Sequence, residues 1–436
     1  MHHFTYRGGV LHAEDVALPV IAAEAGTPVY VYSASTIERH YTAFAGAFTD
    51  MNAHIFYAMK ANSNLAVLEL LASLGAGADT VSEGEIRRAL AAGIPAGRIV
   101  FSGVGKTEAE LAFAVGKGIY QVNVETESEL LALSKVASAM GRRQAAVIRI
   151  NPDVGAGGHA KITTGSSENK FGVSLEEADR LYGKAAGLPG IAIEGLAMHI
   201  GSQIRAIQDF GPAFGRMRAL VGRLRDAGHR VARVDLGGGL GIPYEMSEAV
   251  THGPDLIRSY AALVHNTFKT LDVELGFEPG RIIVGNAGIL LTRVVHLNKR
   301  PRKTFAVVDA AMNDLIRPAM YDAFHEIWPV EQALPSAPRR TYDVVGPICE
   351  TSDTFAAARS LAELTPGDLI AFMTAGAYGA VMSSNYNTRL LVPEVLVQGE
   401  KWAVVRPRQT WEDLLGQERI PDWIRAPRAV SVNEKE

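Results

Sequence analysis

The stretch His54-Ile-Phe-Tyr-Ala-Met-Lys-Ala-Asn-Ser-Asn-Leu-Ala-Val-Leu-Glu-Leu-Leu-Ala-Ser-Leu-Gly-Ala-Gly-Ala-Asp-Thr-Val, residues 54–81, decides the fold. It opens on a run of strand formers, His54–Met59. It continues through Asn62–Leu74, where apolar residues recur at helical spacing, and closes on a second strand-like run, Gly77–Val81. Strand, helix and strand in so short a span predict one βαβ unit with parallel strands.

The rhythm repeats downstream. Strand runs fall at Arg98–Phe101, Tyr120–Val124, Ala145–Ile150, Ile193–His199 and Val231–Leu236, with amphipathic segments such as Glu83–Ala92, Glu108–Val115 and Glu127–Met140 between strands. The eighth strand has two candidates on propensity, Val273–Phe277 and Arg281–Val284. The first is preferred because it puts Glu278–Arg281 at a strand's C-terminal end. Eight such units over about 240 residues predict a (β/α)8 barrel of the TIM type, which typically spans roughly 250 residues. A doubly wound sheet is the alternative from the same alternation, and the count of eight favours the barrel.

After about residue 288 the texture changes. Leu290–His296, Thr304–Val308, Arg340–Val345, Asp368–Phe372, Leu390–Val397 and Trp402–Val405 read as strands with few helices between them. The first 35 residues also carry strand signals, Phe4–Tyr6 and Pro28–Tyr32, without the barrel rhythm. The expectation is an α/β barrel over residues 36–288 and a β-sandwich or Greek-key-like domain built from both chain ends, residues 1–35 and 289–436. The polar tail Val432–Glu436 is expected to fray.

Composition narrows the function classes. The chain has 436 residues, 47% of them hydrophobic, and a formal charge of −4. That is a globular composition, with no general electrostatic reason to bind nucleic acid or an anionic membrane. One cysteine, Cys349, excludes an intramolecular disulfide and a cysteine-based structural zinc site. No basic segment followed by an apolar run opens the chain, and the longest mostly apolar stretch, Leu369–Met382, is too short and glycine-containing for a membrane helix. A cytoplasmic protein is expected.

Two patterns are decoys, and a third is missing. Gly-Val-Gly-Lys-Thr at 103–107 resembles the end of a phosphate-binding loop, but the glycine required five positions before Gly105 is Val100. Asp235-Leu-Gly-Gly-Gly-Leu-Gly resembles a dinucleotide fingerprint, but its third glycine would fall at Ile242. The 12 histidines include no His-Glu-x-x-His pair, which removes support for a zinc hydrolase.

Other residues gather at one end of the expected barrel. Gly237, Gly238 and Gly239 follow a strand directly. A tight βα turn is the plainer reading; their place on the C-terminal face, where phosphate sites cluster, favours anion binding. Lys60 ends the first strand. A strand-end lysine is usually a solvated charge, but apolar flanks here suit a desolvated amine able to react with a carbonyl. Asp79, His199 and Glu278 fall at or near other strand ends. Four ionisable groups at the same end of four strands point to chemistry.

On these residues the sequence resembles the diaminopimelate decarboxylases, pyridoxal-phosphate enzymes of the alanine racemase-like fold type. The matching motifs are Tyr57-Ala-Met-Lys-Ala-Asn-Ser, Gly77-Ala-Asp-Thr-Val-Ser, Arg149-Ile-Asn-Pro-Asp, His159-Ala-Lys-Ile-Thr-Thr-Gly and Asn169-Lys-Phe-Gly. They continue with His199-Ile-Gly-Ser, Asp235-Leu-Gly-Gly-Gly, Glu278-Pro-Gly-Arg, Gly346-Pro-Ile-Cys-Glu and Gly376-Ala-Tyr-Gly-Ala. Nearly the whole chain is covered. Thr351-Ser352, where a small residue or glycine is expected nearby, is a small departure.

The resemblance implies pyridoxal 5'-phosphate carried on Lys60, with Glu278 against the pyridine nitrogen and His199 flat on the ring. It implies phosphate contacts from Gly237–Gly239, Ser202, the Gly280–Arg281 backbone and Tyr378, and orienting roles for Asp79 and Arg149. It also implies a homodimer whose active sites form across the interface. Cys349 would then be the acid that reprotonates the product; a thiol's ordinary pKa of roughly 8.5 leaves it protonated at neutral pH. Arg281 and Arg317 would take the substrate's distal carboxylate, Glu350 its distal ammonium, and Tyr321 and Tyr378 would add hydrogen bonds. Without the resemblance, Arg317 reads better as a surface or interface ion pair, and Cys349 as a buried hydrophobe.

The expected reaction is decarboxylation of meso-2,6-diaminopimelate to L-lysine, the last step of lysine biosynthesis. The alternatives are a decarboxylase of the same fold acting on a basic amino acid or carboxynorspermidine, and a non-catalytic pyridoxal-phosphate carrier or regulatory protein.

Overall fold

The computed structural model describes residues 2–154, 170–245 and 254–425. Two of the quoted motifs, His159-Ala-Lys-Ile-Thr-Thr-Gly and the Asn169 end of Asn169-Lys-Phe-Gly, lie outside the described residues, as does the tail Val432–Glu436.

Eight parallel strands close into a barrel. They are β1 Ala53–Ala58, β2 Gly77–Thr80, β3 Ile99–Phe101, β4 Gln121–Val124, β5 Gln144–Ile150, β6 Ile191–Met198, β7 Arg233–Asp235 and β8 Glu274–Phe277. Each pairs with its sequence neighbours, and β8 closes on β1 with Leu275 opposite Ala53. The doubly wound alternative is therefore set aside. The competing eighth candidate forms a short helix, Arg281–Val284. Pro279 and Gly280 end the strand before it, and burial of Ile283 and Val284 outweighs their β preference.

Four of the intervening helices start on the same device. Ser82, Thr107, Thr126 and Ser174 cap their helices, each accepting the backbone N–H of a glutamate three residues on: Glu85, Glu110, Glu129 and Glu177. A helix in a βα unit begins where its strand ends. These caps therefore pin the loops that form the barrel mouth.

The second domain does draw on both chain ends. Val29–Ser33 lies between Gly288–Lys299, antiparallel, and Glu394–Gln398, parallel, in a nine-stranded mixed sheet. Val29–Ser33 is buried throughout. Tyr30 and Tyr32 join the core that continues into the barrel, while Val29 and Val31 face a second core with Leu11, Ile21, Ile289 and Val395. Both faces of that strand are covered, which is why it reads as an apolar run without polar alternation.

Thr354–Ala362 is a strand that propensity misses. Its Phe-Ala-Ala-Ala-Arg stretch reads as helix, yet it pairs along Arg339–Val345. The run expected from Leu390 begins only at Glu394, after Pro393, which has no N–H to give a ladder.

The two domains meet at the turn that carries Lys60. Asn62 Nδ2 donates to the Gly376 carbonyl at 3.2 Å, and Tyr378 N–H donates to the Ala61 carbonyl at 2.8 Å. Glycine is required at this seam: a Cβ on Gly376 would lie 2.0 Å from the Val284 carbonyl oxygen.

Candidate active site

Lys60 sits two residues past β1, in the 3-10 turn Met59–Ala61, rather than within the strand. Its Nζ lies 3.2 Å from Asp79 Oδ2 on the neighbouring strand β2. Lys60 keeps 38% of its side-chain surface accessible and Asp79 keeps none. Burial works against the amine's charge, but Asp79, then Tyr378 and Glu278, outweigh it and raise the Lys60 pKa. The second carboxylate oxygen, Asp79 Oδ1, is buried without a partner among the described residues.

Glu278 follows β8 directly and is buried. Asn123 Nδ2 donates to its Oε1 at 3.1 Å, and Ser102 Oγ lies 3.4 Å away. Burial, then Asp235 and Asp79, push the Glu278 carboxyl well above the usual range. Burial likewise pushes Asp235 up to about 6, and its side chain hydrogen-bonds that of Glu278. The protein alone therefore favours a neutral Glu278. A cation placed at its oxygen would draw the proton away.

The glycine run crosses from β7 to the mouth. A Cβ on Gly237, Gly238 or Gly239 would meet the carbonyl oxygens of Met198, Glu278 and Gly201 at 2.2–2.4 Å. Gly237 N–H donates to Asp235 Oδ1 at 2.9 Å, and Gly238 N–H to His199 Nδ1 at 3.2 Å. Two of the three N–H groups expected to face a phosphate thus shape the loop itself. The second bond makes Nδ1 an acceptor, so His199 carries its proton on Nε2 when neutral. Burial, then the charges of Lys60 and Arg149, hold its pKa well below the ordinary value.

Arg149, at the end of β5, is held by Glu125 at 2.7 Å. Glu125 also accepts the N–H groups of Gly103 at 3.1 Å and Gly172 at 2.9 Å. The rejected phosphate-loop lysine has a structural place beside it. Lys106, 1% exposed, donates to the carbonyls of Gly103 and Asn123 and to Glu129 Oε1 at 2.7 Å.

Above the glycine loop lie two arginines. Arg281 donates to Ser202 Oγ at 3.1 Å and to Tyr244 Oη at 2.5 Å, and stacks 4.7 Å from the Tyr378 ring. Arg317 starts the helix Arg317–Tyr321 and lies 4.6 Å from the same Tyr244 ring. Arg281, Arg317, Tyr378, Tyr321 and Ser202 therefore share one region. Tyr244 and His325, which no sequence motif signals, complete it.

Cys349 and Glu350 do not join this group. They lie exposed on the loop after Arg339–Val345. Glu350 accepts from Tyr386 Oη and, at 2.8 Å, from Ser352 Oγ. Asn387 Nδ2 lies 3.6 Å from Cys349 Sγ. Cys349 is therefore not the buried hydrophobe that its residue type alone suggests.

A parallel barrel whose mouth presents a lysine on a carboxylate, a glycine loop and a carboxyl at the eighth strand defines a class: residues 34–285 match the pyridoxal-dependent decarboxylases, pyridoxal binding domain. The chain is 49% identical to the diaminopimelate decarboxylase of Pseudomonas fluorescens over 97% of its length and 100% of that protein. It is 45% identical to that of Zymomonas mobilis, over 97% and 99%. It superimposes on the crystal structure of diaminopimelate decarboxylase from M. jannaschii in complex with L-lysine with a TM-score of 0.91, at 34% identity, covering 97% and 100% of the two chains. The chain belongs to the diaminopimelate decarboxylase family.

The residues present fit pyridoxal phosphate. There is an amine for its aldehyde, and a hydroxyl beside a glycine loop suited to its phosphate. Asp79 Oδ1 and Arg281 Nε are buried polar atoms with no partner among the described residues. Such atoms are costly unless a bound group satisfies them. Among the described residues no helix is long and apolar enough to cross a membrane.

Proposed function

We infer that the protein converts meso-2,6-diaminopimelate to L-lysine and carbon dioxide. The observation that carries the substrate is the arginine pair. Arg281 and Arg317 are both buried, share Tyr244, and have no carboxylate within ion-pair distance among the described residues. Buried guanidiniums without a counter-charge are an anion site. A substrate with a distal carboxylate supplies that charge; ornithine and arginine do not.

Lys60 holds the cofactor, and Asp79 orients its amine. Glu278 would face the pyridine nitrogen and His199 the ring, and Ser202, Gly239, Tyr378 and the Gly280–Arg281 backbone would hold the phosphate. Bound pyridoxal phosphate supplies the electron sink for the charge left when carbon dioxide departs. The barrel residues bind and orient; Asp235, Ser102 and Asn123 fix the Glu278 carboxyl. Arg149, fixed by Glu125, forms the wall of the mouth beside His199.

A proton must then reach the substrate carbon. Cys349 is the donor, with Glu350 beside it for the distal ammonium. Both project from an exposed loop, which supports a homodimer in which each chain completes its partner's site. The cytoplasm is the compartment that suits a biosynthetic enzyme with one free thiol.

The test is incubation of the cofactor-loaded protein with meso-diaminopimelate. Carbon dioxide and lysine should appear together. Turnover of ornithine or arginine with none of diaminopimelate would overturn the reading.

A further inference from the structure

Arg317 is oriented by a neighbour that carries no charge. Its Nη1 lies 3.0 Å from His325 Nε2, and His325 Nδ1 lies 2.8 Å from the Met373 carbonyl oxygen. A carbonyl only accepts, so Nδ1 bears the proton and Nε2 offers a lone pair. An arginine N–H needs such an acceptor. The tautomer is thus set by the backbone just after Leu369–Phe372. Tyr244 meets the His325 ring edge-on at 5.5 Å and lies under the Arg317 guanidinium. His325 is 1% exposed. Burial, then the adjacent Arg317 charge, pushes its pKa down to about 3, so the ring stays neutral in the working range.

We propose that His325 is a positioning residue for substrate selection: it fixes the plane of the Arg317 fork with a neutral acceptor, leaving the arginine's charge for the distal carboxylate. A carboxylate in its place would hold the fork equally well but cancel the charge. Truncation would leave the charge but free the fork to rotate. The proposal rests on the reading of Arg317 as the distal-carboxylate group.

The test compares three variants of the cofactor-loaded enzyme. For each, KM and kcat are measured with diaminopimelate, alongside competitive inhibition by 1,5-diaminopentane, which carries both amines but no distal carboxylate. His325→Leu should raise KM about tenfold to hundredfold, with kcat, cofactor absorbance and diaminopentane inhibition near wild type. His325→Glu should raise KM at least as much, because it neutralises Arg317. His325→Gln, a neutral acceptor, should stay within about threefold of wild type. Gln and Glu keep a group that can contact Arg317, so they remain informative if the leucine variant does not fold. An unchanged KM in folded His325→Glu would overturn the proposal. So would KM and the diaminopentane inhibition constant rising together in any variant. Arg317→Ala run in parallel tests the underlying reading separately: if it leaves KM unchanged, the fault lies there.

Discussion

Lys60 Nζ and Asp79 Oδ2 stand 3.2 Å apart across neighbouring strands β1 and β2, and the other oxygen of Asp79 is buried without a partner among the described residues. The amine is held in place from one side, and half of the carboxylate remains available. Lys60→Ala should therefore fold, as judged by circular dichroism, yet lose both lysine production and the long-wavelength absorbance of lysine-bound pyridoxal. Retention of that absorbance would remove Lys60 from its role.

Asp235 and Glu278 form a buried carboxyl pair with raised pKa values. A raised carboxyl binds more protons folded than unfolded, so its stabilising contribution is complete below the unfolded pKa and is lost as pH rises through the folded one. For Asp235 the window runs from roughly 3.9 to about 6. Unfolding free energies of the cofactor-free protein, from urea titrations, should fall across it by up to about 1.4 kcal/mol per pH unit. Asp235→Asn should flatten the slope, and an unaltered slope would count against the pair.

Lys106 and Glu129 are an almost fully buried ion pair. Removing one partner strands a charge in the interior. Lys106→Met should destabilise the fold by about 3–5 kcal/mol in urea unfolding. A loss below about 1 kcal/mol, the range of an exposed pair, would mean the site is more hydrated than its burial indicates.

If Cys349 serves the partner's site, Lys60→Ala and Cys349→Ala are each inactive alone but complementary when mixed. Random exchange would give half heterodimers, each with one intact site, and so about a quarter of wild-type activity. No recovery, in a mixture shown to exchange subunits, would place the acid within its own chain.

Tyr386 and Asn387 hold Glu350 and Cys349 from a second loop. Tyr386→Phe should weaken diaminopimelate binding more than it slows turnover, because it frees Glu350 without touching Lys60. Equal effects on kcat and kcat/KM would assign Tyr386 to the chemical step instead.

Much of the site was legible without coordinates. Eight strand–helix alternations could close only as a barrel or spread as a doubly wound sheet. Lys60, Asp79, His199 and Glu278 all fell near strand ends, which a parallel barrel gathers on one face. The period of the side chains carried that information locally. Thr354–Ala362 escaped because its alanines favour helix, and only pairing with Arg339–Val345 makes it a strand.

What the sequence alone determined was the strand–helix alternation, a lysine at the end of its first strand and the resemblance to a family, because each is written in contiguous stretches. Tertiary structure decided which neutral groups hold the charged ones. His325 reaches Arg317 from eight residues on. Tyr244 links that arginine to Arg281, and Glu125 holds Arg149 through loops from three strands. Hydrogen bonds and burial depend on distances in space. No local pattern encodes them, so the arrangement that leaves an arginine fixed in place yet still charged emerges only when the chain is folded.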